Sequence, residues 1–335
     1  MAEQRHATIA GVGSVLPDRI VPNSELERYV DTTDEWIRER TGIKERRFAD
    51  ASQTTSDLAV EAGRIALATS GVSADQLDLI VCATCTPDTP IPSAGVWIQR
   101  KLEISAPAFD VNAACAGFSY AMSTATAFIE SGQAETVLVT GAEVLSRAMD
   151  LYDRGTCILF GDGAGAVILC RSEAPGVLGS VLGADGTAAE ILLIPAGGSR
   201  NPASHETVDA RDHSIRMPNG REVFKRAVVE MSNACRQLLE KSGFRPDDVD
   251  VLIPHQANAR IMIAVAERLE IPMERAVVDV ESVGNTSAAS IPIALDRAWR
   301  ADRIHEGDLV LLTSFGAGLA WGANLVRWTG PGSAG

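Results

Sequence analysis

The sequence predicts a layered α/β fold built from two similar halves. Three observations carry this. Short motifs recur in the same order at nearly constant spacing. Short, continuously apolar strand segments alternate with helical ones. The composition, 46% hydrophobic and 22% charged over 335 residues, is that of a soluble globular chain of about two domains. The repeat is specific. Ser70-Gly71 leads through Asp75 and Asp78 into the apolar run 79–81, and Ser242-Gly243 leads through Asp247 and Asp250 into 251–253, an offset of 172. Asp110-Val111 matches Asp279-Val280 at an offset of 169, and VLVT (137–140) matches VLLT (310–313) at 173. Ser172, Pro175 and Gly176 mark a connection between halves, giving 1–174 and 175–330, with 331–335 read as a flexible tail.

Taken in order, the segments 7–11, 79–82, 108–111, 137–140 and 166–170 read as strands. Each is a short apolar run without alternation, the pattern of a sheet covered on both faces. Segments 54–70, 93–102, 115–131 and 224–242 read as helices. The stretch 111–129 lies uncharged between Asp110 and Glu130. It is rich in Ala, Ser and Thr, which suits a helix buried in a protein core better than one in a membrane. The stretch 309–326 is broken by glycines and reads as two strands with a turn. Two such halves stacked about shared buried helices make five layers.

The formal charge is −14, with a sequence pI near 4.8. That argues against nucleic acid and anionic membranes as partners, since both need a positive field. The opening residues MAEQRHATIAGVGS lack the charged-then-apolar pattern of a secretory leader, and six cysteines in so long a chain do not make a disulfide framework. The expected setting is cytoplasmic. Cys82 and Cys85 form a lone C-x-x-C at a strand end. Residues three apart on a strand face opposite ways, which disfavours zinc or redox chemistry there, and no metal site is expected.

Cys115 is the first candidate for chemistry. It sits at the turn from a strand into the uncharged helix, among small residues that leave room for a substrate. A thiol at a helix N-terminus is expected to have a lowered pKa and to serve as a nucleophile; a buried small hydrophobe is the plainer reading. His255 ends the apolar strand 251–253, and Asn285 follows Gly284 just past the segment that mirrors the approach to Cys115. A turn or cap is the ordinary fate of such an Asn. All three lie just beyond strand C-termini, where ligand sites of α/β folds form. Gly11-x-Gly13 lacks a third glycine, and Gly161, Gly163 and Gly165 lack a following Lys-Ser/Thr, so neither reads as a nucleotide loop. Phe315-Gly316-Ala317-Gly318 is a loop of small residues able to aim an N–H at an oxyanion.

These residues stand inside longer strings: DTTDEWIRERTGIKERR (31–47), DVNAACAGFSYA (110–121), DRGTCILFGDGAGA (153–166), REVFK (221–225), HQANARI (255–261), GNTSAASIPIAL (284–295) and FGAGLAWGA (315–323). With them the chain closely resembles the β-ketoacyl-acyl-carrier-protein synthase III family, the initiating condensing enzymes of dissociated fatty-acid synthesis, on the thiolase fold. The resemblance runs from about residue 7 to residue 328. It implies a five-layered α-β-α-β-α fold and a decarboxylative Claisen condensation of acyl-CoA with malonyl-ACP (acyl carrier protein), through an acyl group on Cys115. His255 and Asn285 would hold the enolate oxygen, and the N–H groups of Cys115 and Ala317 a second oxyanion. Many members have Gly where this chain has Ala317, but only the N–H is needed.

The resemblance also implies a CoA site. Trp36 and Arg154 would sandwich the adenine, Arg40 would meet a phosphate, and Thr32, Gly220, Phe224 and Asn258 would line the pantetheine tunnel. Ile91 and Phe315 would border the acyl pocket, Ile91 by reaching across a homodimer. Many members carry a large aromatic at the position of Ile91, so a primer larger than acetyl is expected. The carrier protein would dock on Lys225, Gln256, Ala257, Asn258, Ala259, Arg260 and Arg268, with Glu267 standing where a basic residue can occur. No cofactor is implied; acyl-CoA and malonyl-ACP are substrates.

Three related classes fit less well. A biosynthetic thiolase needs a second cysteine in 314–318, and none is there. An elongating ketosynthase uses a second histidine where Asn285 stands. A plant-type polyketide synthase shares the Cys-His-Asn set but matches the CoA and carrier segments less well. Open alternatives are a relative in specialised metabolism that uses an unusual starter, and a non-catalytic scaffold. Because CoA and the carrier are themselves anionic, the net charge requires a local basic surface, and binding sensitive to salt.

Overall fold

The computed structural model describes residues 5–332. Eleven strands run in chain order: β1 (His6–Val15), β2 (Arg19–Pro22), β3 (Glu45–Phe48), β4 (Leu79–Ala83), β5 (Ala108–Val111), β6 (Thr136–Glu143), β7 (Gly163–Ser172), β8 (Val177–Ala184), β9 (Val251–Pro254), β10 (Leu309–Gly316) and β11 (Ala320–Arg327). They form a five-stranded sheet ordered β1-β7-β6-β4-β5, a four-stranded sheet ordered β8-β11-β10-β9, and the small ribbon β2-β3. The sequence reading did not include the ribbon, whose residues Arg19–Pro22 and Glu45–Phe48 carry no apolar run.

The two large sheets repeat one topology. β1 pairs antiparallel with β7, as β8 does with β11; β6 pairs antiparallel with β7, as β10 does with β11. β4 lies parallel to β6, as β9 does to β10. β4 and β5 are parallel with Ile80 opposite Ala108, and in the second half this pairing shrinks to a single bridge from Leu252 to Ala276.

Continuous apolar strands become two-faced layers through simple alternation. In β4, Leu79, Val81 and Ala83 face the core between the sheets, while Ile80 and Cys82 face an outer core. In β10, Val310 and Leu312 face the same central core, and Leu309 and Leu311 an outer one. The helices Gly117–Glu130 and Ser290–Arg300 fill the middle. Thr55–Ser70 and Ala94–Leu102 cover the first sheet, and Gly220–Ser242 and Ala259–Leu269 cover the second. The result is the expected five-layered α-β-α-β-α arrangement.

Helix starts differ from expectation by small amounts. Thr54 and Ser93 are caps, outside Thr55–Ser70 and Ala94–Leu102. The helix expected from 224 begins at Gly220, because the Asn219 side chain accepts from the N–H of Glu222 at 3.1 Å and caps it. The helix expected from 115 begins at Gly117, after a tight 3₁₀ turn over Ala114–Ala116 that contains Cys115. At the far end, the Gly332 N–H donates to the Ala10 carbonyl at 2.9 Å; of the tail expected over 331–335, residues 333–335 lie outside the described residues. Among the described residues no helix is long and apolar enough to cross a membrane.

Candidate active site

Cys115 and Asn285 arise from two copies of one elbow. In the first half, Asn112 Oδ1 accepts from the Ala114 N–H at 3.2 Å, Ala114 takes φ +45°, and the turn Ala114–Ala116 feeds the buried helix Gly117–Glu130. In the second, Asn285 Oδ1 accepts from the Ser287 N–H at 2.9 Å, Ser287 takes φ +49°, and the turn Ser287–Ala289 feeds the buried helix Ser290–Arg300. Asn285 is further clamped by its backbone. Its N–H donates to the Leu159 carbonyl at 2.8 Å, and its carbonyl accepts from the Gly161 N–H at 2.9 Å. With its amide oxygen used, Asn285 presents its NH₂ group as the free end.

His255 sits just past β9, buried, its N–H on the Thr313 carbonyl at 2.7 Å. Its Nδ1 lies 2.6 Å from Ser290 Oγ, which also accepts from the Gln256 N–H at 3.3 Å. Nδ1 is the one acceptor in reach of the Ser290 hydroxyl among the described residues, so the hydroxyl donates to Nδ1 and Nε2 carries the ring proton. Burial lowers the imidazole pKa to about 3, so the ring is neutral and acts as an Nε2–H donor.

The expected lowered pKa of Cys115 is not found. Burial pushes the thiol up to about 12; contact with the Ser287 hydroxyl opposes this, and the charge of Glu143 adds to it. Desolvation is the largest cause, as befits a side chain only 9% exposed. Gly316 explains the tight fit: a Cβ there would stand 2.6 Å from the Cys115 backbone nitrogen.

Two cavities meet at Cys115. One, about 120 Å³, holds His255 and Asn285 and extends past Phe224 and Gly220 to Asn258. The other, about 240 Å³, is lined by Cys85, Leu145, Leu192, Ile194, Ile215 and Ala317. Phe315 corrects an expectation: it lines the first cavity, since its position in β10 points it toward the outer core, away from the second. Ile91 is 88% exposed and touches neither cavity of its own chain.

At the outer rim, Arg40 and Arg154 place their guanidinium carbons 4.5 and 5.1 Å from the Trp36 ring centroid. A base sandwiched between Trp36 and Arg154 needs two contacts of roughly 3.5 Å. The observed spacing leaves no room for a base between them, and Arg154 also donates to the Asp31 carbonyl at 3.0 Å. Thr32 Oγ1 is buried without a hydrogen-bond partner. Asn258 caps Ala259–Leu269 and donates to the Arg40 carbonyl at 3.0 Å, tying the end of the first cavity to the Trp36 helix Asp34–Thr41.

Lys225, Arg260 and Arg268 are exposed on the neighbouring helices Gly220–Ser242 and Ala259–Leu269, with Arg260 over the Phe224 ring at 5.7 Å. Gln256 is a correction to the docking set. It is 2% exposed, and its amide is used by the Pro254 and Val277 carbonyls and the Asp279 and Val280 N–H groups. Ala257 lines the first cavity, and Ala259 packs against Gly42.

Sequence reasoning missed Ser287, Ser290, Glu143 and Cys85 as site residues. The first two stand in GNTSAAS, where a repeat aligned on the elbow would have found them. Glu143, at the end of β6, is a fully buried acid inside an otherwise uncharged run, a signal visible in TVLVTGAE.

Cys115 and His255 follow strand ends, whereas Asn285 follows the short helix Val280–Val283 and not the expected strand. Two similar halves, a buried Cys-His-Asn set and two cavities meeting at the thiol define a thiolase-fold condensing enzyme. Family models for 3-oxoacyl-[acyl-carrier-protein] synthase III match residues 109–186, and its C-terminal part residues 239–328. A β-ketoacyl-[acyl-carrier-protein] synthase III of Caldanaerobacter subterraneus subsp. tengcongensis is 50% identical over 331 residues, 98% of this chain and 100% of its own. The 3-oxoacyl-[acyl-carrier-protein] synthase III of Aquifex aeolicus VF5 superposes with a TM-score of 0.89 at 47% identity, covering 96% and 100%. The priming β-ketosynthase of the R1128 polyketide pathway does so with 0.91 at 36%, covering 99% and 98%. The chain belongs to the β-ketoacyl-acyl-carrier-protein synthase III family, the acyltransferases that begin fatty-acid synthesis.

Proposed function

We propose that Cys115 takes an acyl group from acyl-CoA and that His255 and Asn285 then direct malonyl-ACP to condense with it. The observation that carries this is the convergence of a thiol, an Nε2–H donor and an amide NH₂ on one cavity lined mainly by apolar side chains. In the first half-reaction the sulfur forms a thioester with the acyl carbon and the CoA thiolate leaves. In the second, the malonyl carboxylate departs as CO₂, and its bonding electrons make an enolate whose oxygen receives the two neutral donors. The enolate carbon attacks the thioester, and the Cys115 thiolate leaves. Donors aimed where charge develops, in a site without bulk water, lower this barrier without metal assistance. The N–H groups of Cys115 and Ala317 would stabilise the tetrahedral oxyanions.

In this reading the narrow cavity is the pantetheine tunnel, with Thr32, Trp36, Arg40, Arg154, Gly220, Phe224 and Asn258 along it, and Lys225, Arg260 and Arg268 form the carrier surface. The wider apolar cavity receives the acyl chain, and its volume of about 240 Å³ favours primers longer than acetyl. A homodimer is supported by β5, a sheet edge of half-buried residues, and by Ile91 exposed on the loop before Ala94–Leu102. The reading includes a cytoplasmic protein that requires no cofactor and binds neither nucleic acid nor membrane. A second reading, a starter-selecting relative in specialised metabolism, is favoured by the likeness to the priming ketosynthase. Intact-protein mass spectrometry against an acyl-CoA panel, followed by malonyl-ACP, tests both through the primer retained.

A further inference from the structure

Arg46 is a buried cation that the mechanism above does not use. It is fully enclosed, and among the described residues its guanidinium donates only to neutral acceptors. Nη1 donates to the Val21 carbonyl at 3.2 Å and to Asn23 Oδ1 at 2.8 Å, and Nη2 to the Ile158 carbonyl at 2.8 Å. Burial lowers its pKa to about 10, so the head stays charged at neutral pH. A buried charge without a carboxylate is costly, and its place calls for a reason. Asn23 is fixed in turn, since its NH₂ is held by Asp34 Oδ1 at 2.9 Å and the Ile43 carbonyl at 2.7 Å. Arg46 stands on β3, and β3 holds both segments that frame Asn285. Asn285 is anchored on 159–161, its N–H on the Leu159 carbonyl at 2.8 Å and its carbonyl on the Gly161 N–H at 2.9 Å. That segment is tied to β3 at both ends, by the Arg46 head on Ile158 and by the Asp162 N–H on the Arg47 carbonyl at 2.8 Å. On the other side, the Lys44 N–H donates at 2.8 Å to the Glu281 carbonyl of Val280–Val283, the helix leading to Asn285. The Arg46 stem packs against both segments: a Cβ added at Gly161 or at Gly284 would stand 3.0 Å from Arg46 Cβ.

We infer that Arg46 is a positioning residue for condensation, fixing the Asn285 amide donor through the segments on either side of it. Its place in the cycle rests on the synthase reading. A donor that stabilises an enolate has to hold its place closely, because small misplacements cost much of its effect. The Cys115 elbow is built on other contacts, with Asn112 and Gly316. Loss of the Arg46 head therefore loosens the donor more than the nucleophile.

The test separates the half-reactions in wild type, Arg46→Lys and Arg46→Met. Acylation of Cys115 by acyl-CoA and its discharge by malonyl-ACP are timed by intact-mass spectrometry. Both variants keep an unbranched stem and lose the forked head. Positioning predicts that discharge slows about tenfold or more beyond any slowing of acylation. If Arg46 only holds the fold together, both half-reactions fall by the same factor or neither falls, and the positioning role is overturned. Should Arg46→Lys not fold, Arg46→Met decides alone, because it buries no charge. Hydrogen exchange on the same proteins needs no substrate and gives a second readout. The amides of Gly161 and Asn285 are expected to exchange about tenfold or more faster in the variants, and the Ala114 amide at its wild-type rate. Unchanged exchange at Gly161 and Asn285 also overturns the positioning role. A wild type that accepts no acyl-CoA, with exchange altered as expected in the variants, refutes the synthase reading and not the positioning of Asn285.

Discussion

Ala114 and Ser287 stand 173 residues apart and share one left-handed backbone state, φ +45° and +49°. Each begins a three-residue turn and donates its N–H to the side chain of an Asn two positions earlier, and each turn feeds a helix of the central layer. Neither is glycine, so each holds a conformation that L side chains seldom adopt, the mark of a position set by its surroundings. The duplicated elbow brings Cys115 from one half and Asn285 from the other to the wall of one cavity.

Ser290 sets the tautomer of His255, and its removal should disable the donor without touching the thiol. Ser290→Ala is expected to leave acylation of Cys115 near wild type and to slow condensation by about tenfold to a hundredfold. Separate assays of the two half-reactions check this; equal losses in both would contradict it.

Gly316 is expected to tolerate no side chain. A Cβ there meets backbone atoms of Cys115 and Ala116 at 2.6 and 3.0 Å, and backbone cannot swing aside. Gly316→Ala should cost about 1–3 kcal/mol by overpacking and should reduce acyl-enzyme formation. Denaturant melts and intact-mass measurement report the two effects.

The buried neutral His255 makes stability fall on acidification. Its folded pKa, about 3, lies below the unfolded value of about 6.5, so the unfolded chain binds the extra proton between them. The contribution is fully present above pH 6.5 and is lost as pH falls toward 3. His255→Gln should show a pH slope shallower than wild type by up to about 1.4 kcal/mol per pH unit in that window. Urea unfolding at several pH values measures it.

The carrier surface should behave as a local positive patch on a chain of net charge −14. Arg260→Glu is predicted to weaken malonyl-ACP binding, with wild-type affinity falling as salt rises. Its effect on acylation by acyl-CoA should be small. Titrations at two ionic strengths separate these outcomes.

Much of this was legible in sequence because repetition survives as spacing. The offsets of 169 and 173 looked like scatter around one value. The structure gives them a cause: the short helix Val280–Val283 lies between the bridge at Ala276 and the elbow at Asn285, an insertion absent before Asn112. Cys115 and His255 were legible because each follows a strand end; Asn285, which follows the helix Val280–Val283, was legible through the repeated Asp-Val before it. The thiol's raised pKa was not legible, since burial depends on Gly316, which arrives from 200 residues away in the other half. Nor was the role of Gln256, whose polar side chain suggested surface but closes four backbone hydrogen bonds inside. In the C-x-x-C, Cys82 packs in an outer core, while Cys85, past the end of β4 and so outside the expected strand alternation, lines the wider cavity beside Cys115.

The central claim is that one cavity carries a thiol for acylation and two neutral donors for decarboxylative condensation. It is tested most directly by intact-mass spectrometry of wild type, Cys115→Ser and Asn285→Ala given a medium-chain acyl-CoA and then malonyl-ACP. The expected result is one acyl adduct on wild type and Asn285→Ala, none on Cys115→Ser, and discharge by malonyl-ACP for wild type but about a hundredfold more slowly for Asn285→Ala. An adduct on Cys115→Ser, or discharge of Asn285→Ala at the wild-type rate, would contradict it.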